Sequence, residues 1–406
     1  MTGAAKITRA TRLLVLVAAL PACEAIVGIT EVVPTPCVTS ELIDFASVAL
    51  TSNRTETVEA VTIADLDGDG APDLIIHRVL DDHTPATFAL LATAGGQGGF
   101  SPEMLVLPRR VRVADLDGDG APDLVGACPS AACFSVFLNR SRPGVIALGA
   151  PVDVALDPPT ASFEVVELTG DGKPDVITWT AAVDAPATLW VNTTPAGSSA
   201  ASFAAPQALA LAEPGHTTRR ITAFDGDGDG RTDLLVSEAD AVHVLDQALA
   251  RNTTAGAPSF DPPVALRIGV HDRQVAADLD GDGRLDLVVG DPGNPAVIWL
   301  NTGGSAFAAV PIDLPCDGDP VAVDDVDGDG RRDVVVVNPG GALCVLRNTT
   351  APGQPAVFHA IDVASAGADA MYALPDLNHD GALDLLAVAS GALSLRISGS
   401  HCAAAP

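Results

Sequence analysis

The nine residues DLDGDGAPD at Asp65–Asp73 return letter for letter at Asp115–Asp123. Related copies begin at Glu167, Asp225, Asp278, Asp325 and Asp376, so the phrase occurs seven times at steps of 47 to 58 residues. Recurrence at that period builds an array of like units rather than one irregular core. Five copies fit D-x-D-G-D-G-x-x-D in full. The third reads ELTGDGKPD and the seventh DLNHDGALD.

The flanks recur with the phrase. A short apolar or alternating segment precedes each copy, such as VEAVTIA or DPVAVD, and a β-branched run follows: DLIIH, DVITW, DLLVS, DVVVV. A further run ends in Asn, as in VFLN, LWVN, IWLN and VLRN, and a loop then leads to a Phe and another apolar segment. Such runs bounded by Gly, Pro, Asn and Asp are strands. With 38 Gly and 31 Pro, the chain is punctuated too often for long helices. Four strands in about 50 residues make a propeller blade, and seven blades fall within the roughly 4–8 of known propellers. The expected fold is an all-β, seven-bladed β-propeller of four-stranded antiparallel blades over residues 44–402. The last repeat stops after its third strand, near Arg396, and Phe45–Thr51 supplies an orphan strand to close that blade.

Twenty-six of the 52 acidic residues sit in the seven nonapeptides. Four carboxylates in one tight turn repel each other, and a hard cation removes that cost. Oxygens at positions 1, 3, 5 and 9, with a carbonyl at 7, suit Ca²⁺, which takes 6–8 of them; Mg²⁺ demands octahedral geometry and fits less well. An EF-hand is excluded, because it needs Glu at position 12 and flanking helices. The expected ligands are Asp65, Asp67, Asp69 and Asp73; Asp115, Asp117, Asp119 and Asp123; Glu167, Thr169, Asp171 and Asp175; Asp225, Asp227, Asp229 and Asp233; Asp278, Asp280, Asp282 and Asp286; Asp325, Asp327, Asp329 and Asp333; and Asp376, Asn378, Asp380 and Asp384. Thr169 and Asn378 substitute for carboxylates, so the third and seventh sites should be the weaker of up to seven.

The amino terminus has its own character. Lys6, Arg9 and Arg12 precede an apolar run from Leu13 to Leu20 that is too short to span a bilayer. Residues 1–22 read as a secretory signal. LPAC, ending at Cys23, resembles the lipobox of bacterial lipoproteins, in which Cys23 would carry the lipid and residues 23–43 form a tether. The alternative is ordinary cleavage and secretion, with Cys23 a plain thiol. Six further cysteines suit an oxidising compartment. The most local of their fifteen pairings joins Cys37 to Cys402 across the closing joint, Cys128 to Cys133, and Cys316 to Cys344 within the sixth blade.

Taken together, the repeats resemble the FG-GAP and VCBS repeats of integrin-α-type propellers over roughly Phe45 to His401. That resemblance implies an acidic loop joining the first and second strands of each blade and holding Ca²⁺. It also implies roles in adhesion and recognition of protein or glycan partners, in lectins, or in appendages of secreted enzymes.

A net charge of −30 argues against nucleic acid. The expected function is a surface-tethered recognition or adhesion module. A calcium-dependent polysaccharide lyase or hydrolase is the alternative from another class, but no catalytic constellation stands out: the eight His are scattered and Tyr372 is the sole Tyr. A lectin would want aromatic platforms, and the three Trp, at 179, 190 and 299, suit blade cores as well. N-x-[ST] triplets at Asn53, Asn139, Asn192, Asn252 and Asn348 read as turn chemistry. Scarce basic charge gathers where first strands begin, at Arg54, Arg109, Arg110, Arg112, Arg219, Arg220 and Arg273, with His216 and His271 beside it. This forms a candidate face for an anionic partner.

Overall fold

The computed structural model describes residues 44–399 apart from 50–55, 93–99, 108, 129–131, 159–161, 240–244, 255–257, 267–272, 291–294, 304–305, 308–311, 327–328, 339–341, 351–355, 364–369, 375–383 and 390–391. The signal, the tether, Cys23, Cys37 and Cys402 lie outside the described residues. No helix occurs among the described residues.

Strand β1 (Asp44–Ala49) comes first. The first sheet follows as β2 (Thr57–Ala64), β3 (Asp73–Val79), β4 (Pro85–Leu90) and β5 (Met104–Leu107). The second holds β6 (Val111–Ala114), β7 (Asp123–Ala127), β8 (Cys133–Phe137) and β9 (Val152–Ala155). The third holds β10 (Ser162–Val166), β11 (Asp175–Trp179), β12 (Ala187–Trp190) and β13 (Gln207–Leu209). The fourth holds β14 (Thr217–Phe224), β15 (Asp233–Ala239), β16 (Leu245–Ala250) and β17 (Val264–Ala265). The fifth holds β18 (Arg273–Ala277), β19 (Asp286–Gly290), β20 (Pro295–Trp299) and, beyond a small ribbon of β21 (Asn301–Gly303) and β22 (Ala306–Phe307), β23 (Ile312–Asp317). The sixth holds β24 (Asp319–Asp324), β25 (Asp333–Val337), β26 (Leu343–Asn348) and β27 (Phe358–Val363). The seventh orders β28 (Ala370–Leu374), β29 (Asp384–Ala389) and β30 (Ala392–Gly399), with β1 on the outer edge of β30. That pairing is antiparallel from Asp44↔Gly399 to Ala49↔Ser394.

The second strand of each sheet is the continuous apolar run after the nonapeptide. Strands β11, β15 and β19 are buried at every residue. Burial on both faces selects an unbroken apolar run, and alternate residues then face opposite neighbours. In β25, Val334 and Val336 pack with Val288 and Ile298 of the fifth sheet. Val335 turns the other way, to Ala387 of the seventh. Leu234 and Val236 face Ile177 and Leu189 of the third sheet, whereas Leu235 faces Leu287 and Val289 of the fifth. Ile75 meets Leu124, and Val125 meets Val176. Leu74 and Ile76 pack with Leu386 and Val388, so the seventh sheet also lies against the first. Each fully buried Val, Leu or Ile contributes about 1.5–3 kcal/mol.

Both disulfides that fall among described residues join the expected partners, Cys128 to Cys133 and Cys316 to Cys344. One placement differs. Cys316 lies in β23, on the outer edge of the fifth sheet, and Cys344 in β26 of the sixth. The bridge therefore ties two sheets instead of lying within one. The reason is the corner at Gly318, the single residue between β23 and β24. Its φ is 132°, and a side chain there would collide with the Val337 carbonyl. The corner falls after Cys316, so the chain leaves the fifth sheet later than the repeat spacing suggests.

Candidate metal centres

Each acidic nonapeptide joins the first strand of a sheet to the second. The pairs Ala64↔Asp73, Ala114↔Asp123, Phe224↔Asp233 and Ala277↔Asp286 close the hairpins at position 9. In the first loop the Asp65 carboxylate accepts backbone N–H bonds from Gly68 (2.7 Å), Asp69 (3.1 Å) and Gly70 (2.9 Å). That wrapping requires positive φ at Gly68 and Gly70, 74° and 89°, which glycine adopts without strain. The second, fourth and fifth loops repeat the same three bonds at Asp115, Asp225 and Asp278.

Carboxylate oxygens of Asp65, Asp67 and Asp73 all lie within 4.8 Å of one another, as do those of Asp115, Asp117 and Asp123, and of Asp225, Asp227 and Asp229. Oxygens coordinating one Ca²⁺ at about 2.4 Å stand at most about 4.8 Å apart. The donor sets therefore fit a hard cation. The third loop is arranged in its own way. Glu167 Oε1 accepts bonds from Thr169 N and Gly170 N, both at 2.8 Å, while Oε2 is buried without a hydrogen-bond partner. The Thr169 hydroxyl also donates to Glu167 (3.2 Å).

The position-9 aspartates are the most buried members. Burial raises Asp73, Asp123, Asp175 and Asp286 to about 6, against backbone hydrogen bonds that pull the other way. Burial raises Asp233 too. Lys or Arg at position 7 offsets some charge in the third to sixth loops. Arg231, Arg284 and Arg331 pair with Asp229, Asp282 and Asp329, and Lys173 Nζ donates to the Thr194 carbonyl (2.7 Å). In the second loop Arg140 reaches Asp117 and Asp119, each at 3.1 Å. Asp327, Asp376, Asn378 and Asp380 lie outside the described residues; Asp325, Asp329 and Asp333 belong to the sixth loop, and Asp384 opens β29.

Behind the loops stands a feature that the sequence reading had only as turn chemistry. Asn192 is 1% exposed. Its backbone N–H donates to Asp175 Oδ1 (2.8 Å), and its Oδ1 accepts from Thr194 N (2.9 Å). Its Nδ2 donates to Pro174 O (3.0 Å) and to Leu116 O (2.8 Å), a carbonyl in the loop of the preceding sheet. Asn139, Asn252, Asn301 and Asn348 reach Leu66, Leu168, Gly226 and Leu279 in the same way. One buried amide thus fastens each of the first five acidic loops to the next sheet. The signal was an Asn 15 to 19 residues after position 9 in five repeats.

The basic residues divide. Arg110, Arg112, Arg219 and Arg220 line one cavity. Arg109 instead folds over Phe137, with its guanidinium 5.4 Å from the ring, and donates to Ser135 Oγ (3.1 Å). His216 Nδ1 sits 3.1 Å from the buried Glu238 carboxylate. Arg54 and His271 lie outside the described residues, and Arg273 opens β18. The three Trp belong to inter-sheet cores: Trp179 between the third and fourth sheets, Trp190 edge-on to Phe134, and Trp299 against the cluster of Leu235 and Leu287.

A family model described as FG-GAP-like repeat matches residues 278–336 and 325–387. No curated protein matches the chain. Among solved structures, BBS1N in complex with ARL6DN, soaked with lead, aligns with a TM-score of 0.52 at 16% identity, covering 89% of this chain and 98% of that one. The chain carries FG-GAP-like repeats and has a β-propeller-like fold.

Proposed function

We propose that the chain is an exported, calcium-stabilised, seven-bladed β-propeller that acts as a recognition or adhesion module for a protein or glycan partner. The observation that carries this reading is the asparagine clasp. Because five of the acidic loops are bonded to the neighbouring sheet, a cation held there stabilises more than its own hairpin by binding the folded form. Metal in such loops is a structural element, and recognition falls to the other surfaces. Closure into a ring is supported by an apolar cluster at every junction, including seventh against first, and by β1 pairing with β30. Export is supported by the two disulfides, which persist in oxidising compartments. Lipid attachment at Cys23 follows from the LPAC sequence.

Two measurements test the reading. Calcium titration of the mature chain by calorimetry should show several sites, with the third and seventh the weakest. Glycan and matrix-protein arrays should then yield a ligand whose binding needs calcium-loaded protein. Absence of calcium binding sinks the metal half, and arrays without a hit sink the recognition half.

A further inference from the structure

The first strands of the second, third and fourth sheets line an open cavity of about 740 Å³. Small-ligand sites span about 300–1,000 Å³. Arg110, Arg112, Arg219 and Arg220 line it, with Glu164 the one acid on its wall. A chain of net charge −30 with 22 Lys and Arg in all thus concentrates four of them on one hollow. The acidic loops begin five residues further along the same strands, at Asp115 and Asp225, about 16 Å away at strand rise.

The four arginines are not equivalent. Arg112 is held by Glu164, with Nε–Oε1 at 2.9 Å and Nη2–Oε2 at 3.1 Å, and lies over Phe163. It forms a fixed wall. Arg110 makes one loose ion pair, 3.9 Å from Glu59, with both side chains well exposed. Its part-burial, and next the charge of Arg112, lowers its pKa, against the charges of Glu59 and Glu164. Arg219 has no hydrogen bond or ion pair among the described residues.

A one-residue slip of the kind also found in β2 and β24 puts two of them side by side. Neighbouring residues of a regular strand point to opposite faces. In β14 the register slips between Thr218↔Glu238 and Arg220↔Ser237, so Arg219 is the extra residue of a β-bulge. Arg219 and Arg220 are both exposed, and both line the cavity. Bulges recur where a side chain must be re-aimed at a site.

We propose that this cavity binds an acidic saccharide, a uronate or sulfated sugar unit, through the guanidinium groups of Arg110, Arg219 and Arg220, with the Arg112–Glu164 pair as its fixed wall. Guanidinium forks match carboxylate and sulfate oxygens. The size of the hollow suits a few sugar rings at most. The proposal deepens the recognition reading above and rests on it.

The test is calorimetry of the calcium-loaded mature chain with digalacturonate, a sulfated heparin disaccharide, cellobiose and an acidic hexapeptide, at low and high salt. Both acidic disaccharides, or one of them, should bind, with affinity falling as salt rises, and cellobiose should not. The R219A/R220A variant should lose at least tenfold, R110Q should lose affinity as well, and R142A, an exposed arginine outside the cavity, should bind like the parent. Cellobiose binding as well as the acidic sugars, undiminished binding by both cavity variants, or no saccharide binding at all overturns the proposal. So does binding of the hexapeptide alone. Melting curves of the same samples with and without calcium separate failure of the metal reading from failure of the cavity.

Discussion

The junction between the third and fourth sheets differs from the one between the seventh and first. At the former, Asn252 is 1% exposed and donates from Nδ2 to the Leu168 carbonyl of the preceding loop (3.1 Å). At the latter, the equivalent residue is Ala92. Its backbone N–H still donates to Asp73 Oδ1 at 2.7 Å, but it has no side chain to reach backwards. The seam holds by apolar contact, with Val58, Leu74, Ile76 and Leu90 against Leu386, Val388 and Leu393. The first sheet compensates internally: Arg78, 0% exposed, binds both Glu103 oxygens (2.6 and 3.1 Å) and the Glu56 carbonyl (2.9 Å), joining its inner and outer strands. Five junctions thus couple the loops to the next sheet through buried polar bonds, whereas among the described residues the seam shows apolar burial, beside the ladder of β1 on β30. Opening should begin at the seam.

Calcium removal is the strongest way to probe that difference. Chelation should lower the melting temperature by more than about ten degrees, since several bound ions each add to stability by mass action. Calcium should restore it where equimolar magnesium does not. Hydrogen exchange after chelation should rise first in β1, β2 and β28–β30; a uniform rise would remove the distinction between seam and clasped junctions.

The junction between the fifth and sixth sheets carries a clasp and a disulfide as well. Replacing Cys316 and Cys344 by Ser opens a loop with a sequence separation of 28, worth about 3–4 kcal/mol in the chain-entropy model. The Cys128–Cys133 bridge closes a separation of only 5, worth about 2 kcal/mol by the same relation. Urea titration of the two double variants compares them, and an equal loss would contradict the difference in loop size.

Next come the clasps. Asn192→Ala removes both Nδ2 donations and the acceptor for Thr194 N, leaving buried backbone groups unpaired, at a cost of about 2–4 kcal/mol. Ala92→Asn at the seam should change stability by less than about 1 kcal/mol, or add to it, because alanine's side chain makes no hydrogen bond that the change would remove. Urea midpoints for the pair decide it, and a cost below that of Ala92→Asn would show the clasp to be energetically idle.

Acidity gives an effect whose sign depends on metal. The folded state holds Asp73, Asp123, Asp175 and Asp286 at about 6, above the ordinary 3.8. Between those values the fold binds more protons than the unfolded chain, so metal-free protein should lose stability as pH rises from about 4 to about 6. His77 works in the opposite direction. Burial, with Arg110 and Arg112 adding to it, pushes it down to about 4 from 6.5, which favours the fold as pH rises. One histidine does not outweigh four aspartates. Calcium needs ionised ligands, so in its presence stability should rise over the same range. Melting temperatures from pH 4 to 6, in metal-stripped buffer and in calcium, would refute this if both curves ran the same way.

Much of the molecule was legible in the spacing of one phrase. The D-x-D-G-D-G-x-x-D pattern determined where each hairpin turns, because glycines at positions 4 and 6 accept positive φ. It also determined where the buried strand begins, because an apolar β-branched run follows position 9. The two local cysteine pairs could be read by proximity. What the tertiary structure alone decided is long-range. The Asn Nδ2 bonds span 69 to 84 residues, joining a strand exit to the loop of the repeat before it, and no local pattern states which carbonyl a buried amide will meet. The corner at Gly318 left Cys316 in the fifth sheet, since a close backbone approach that only glycine admits, not a repeat length, sets where that sheet ends. A one-residue bulge turned Arg219 to the same side as Arg220, while Arg109, their neighbour by sequence logic, went to Phe137 and Ser135. Register and packing choose the face a side chain occupies, and both depend on strands far apart in the chain.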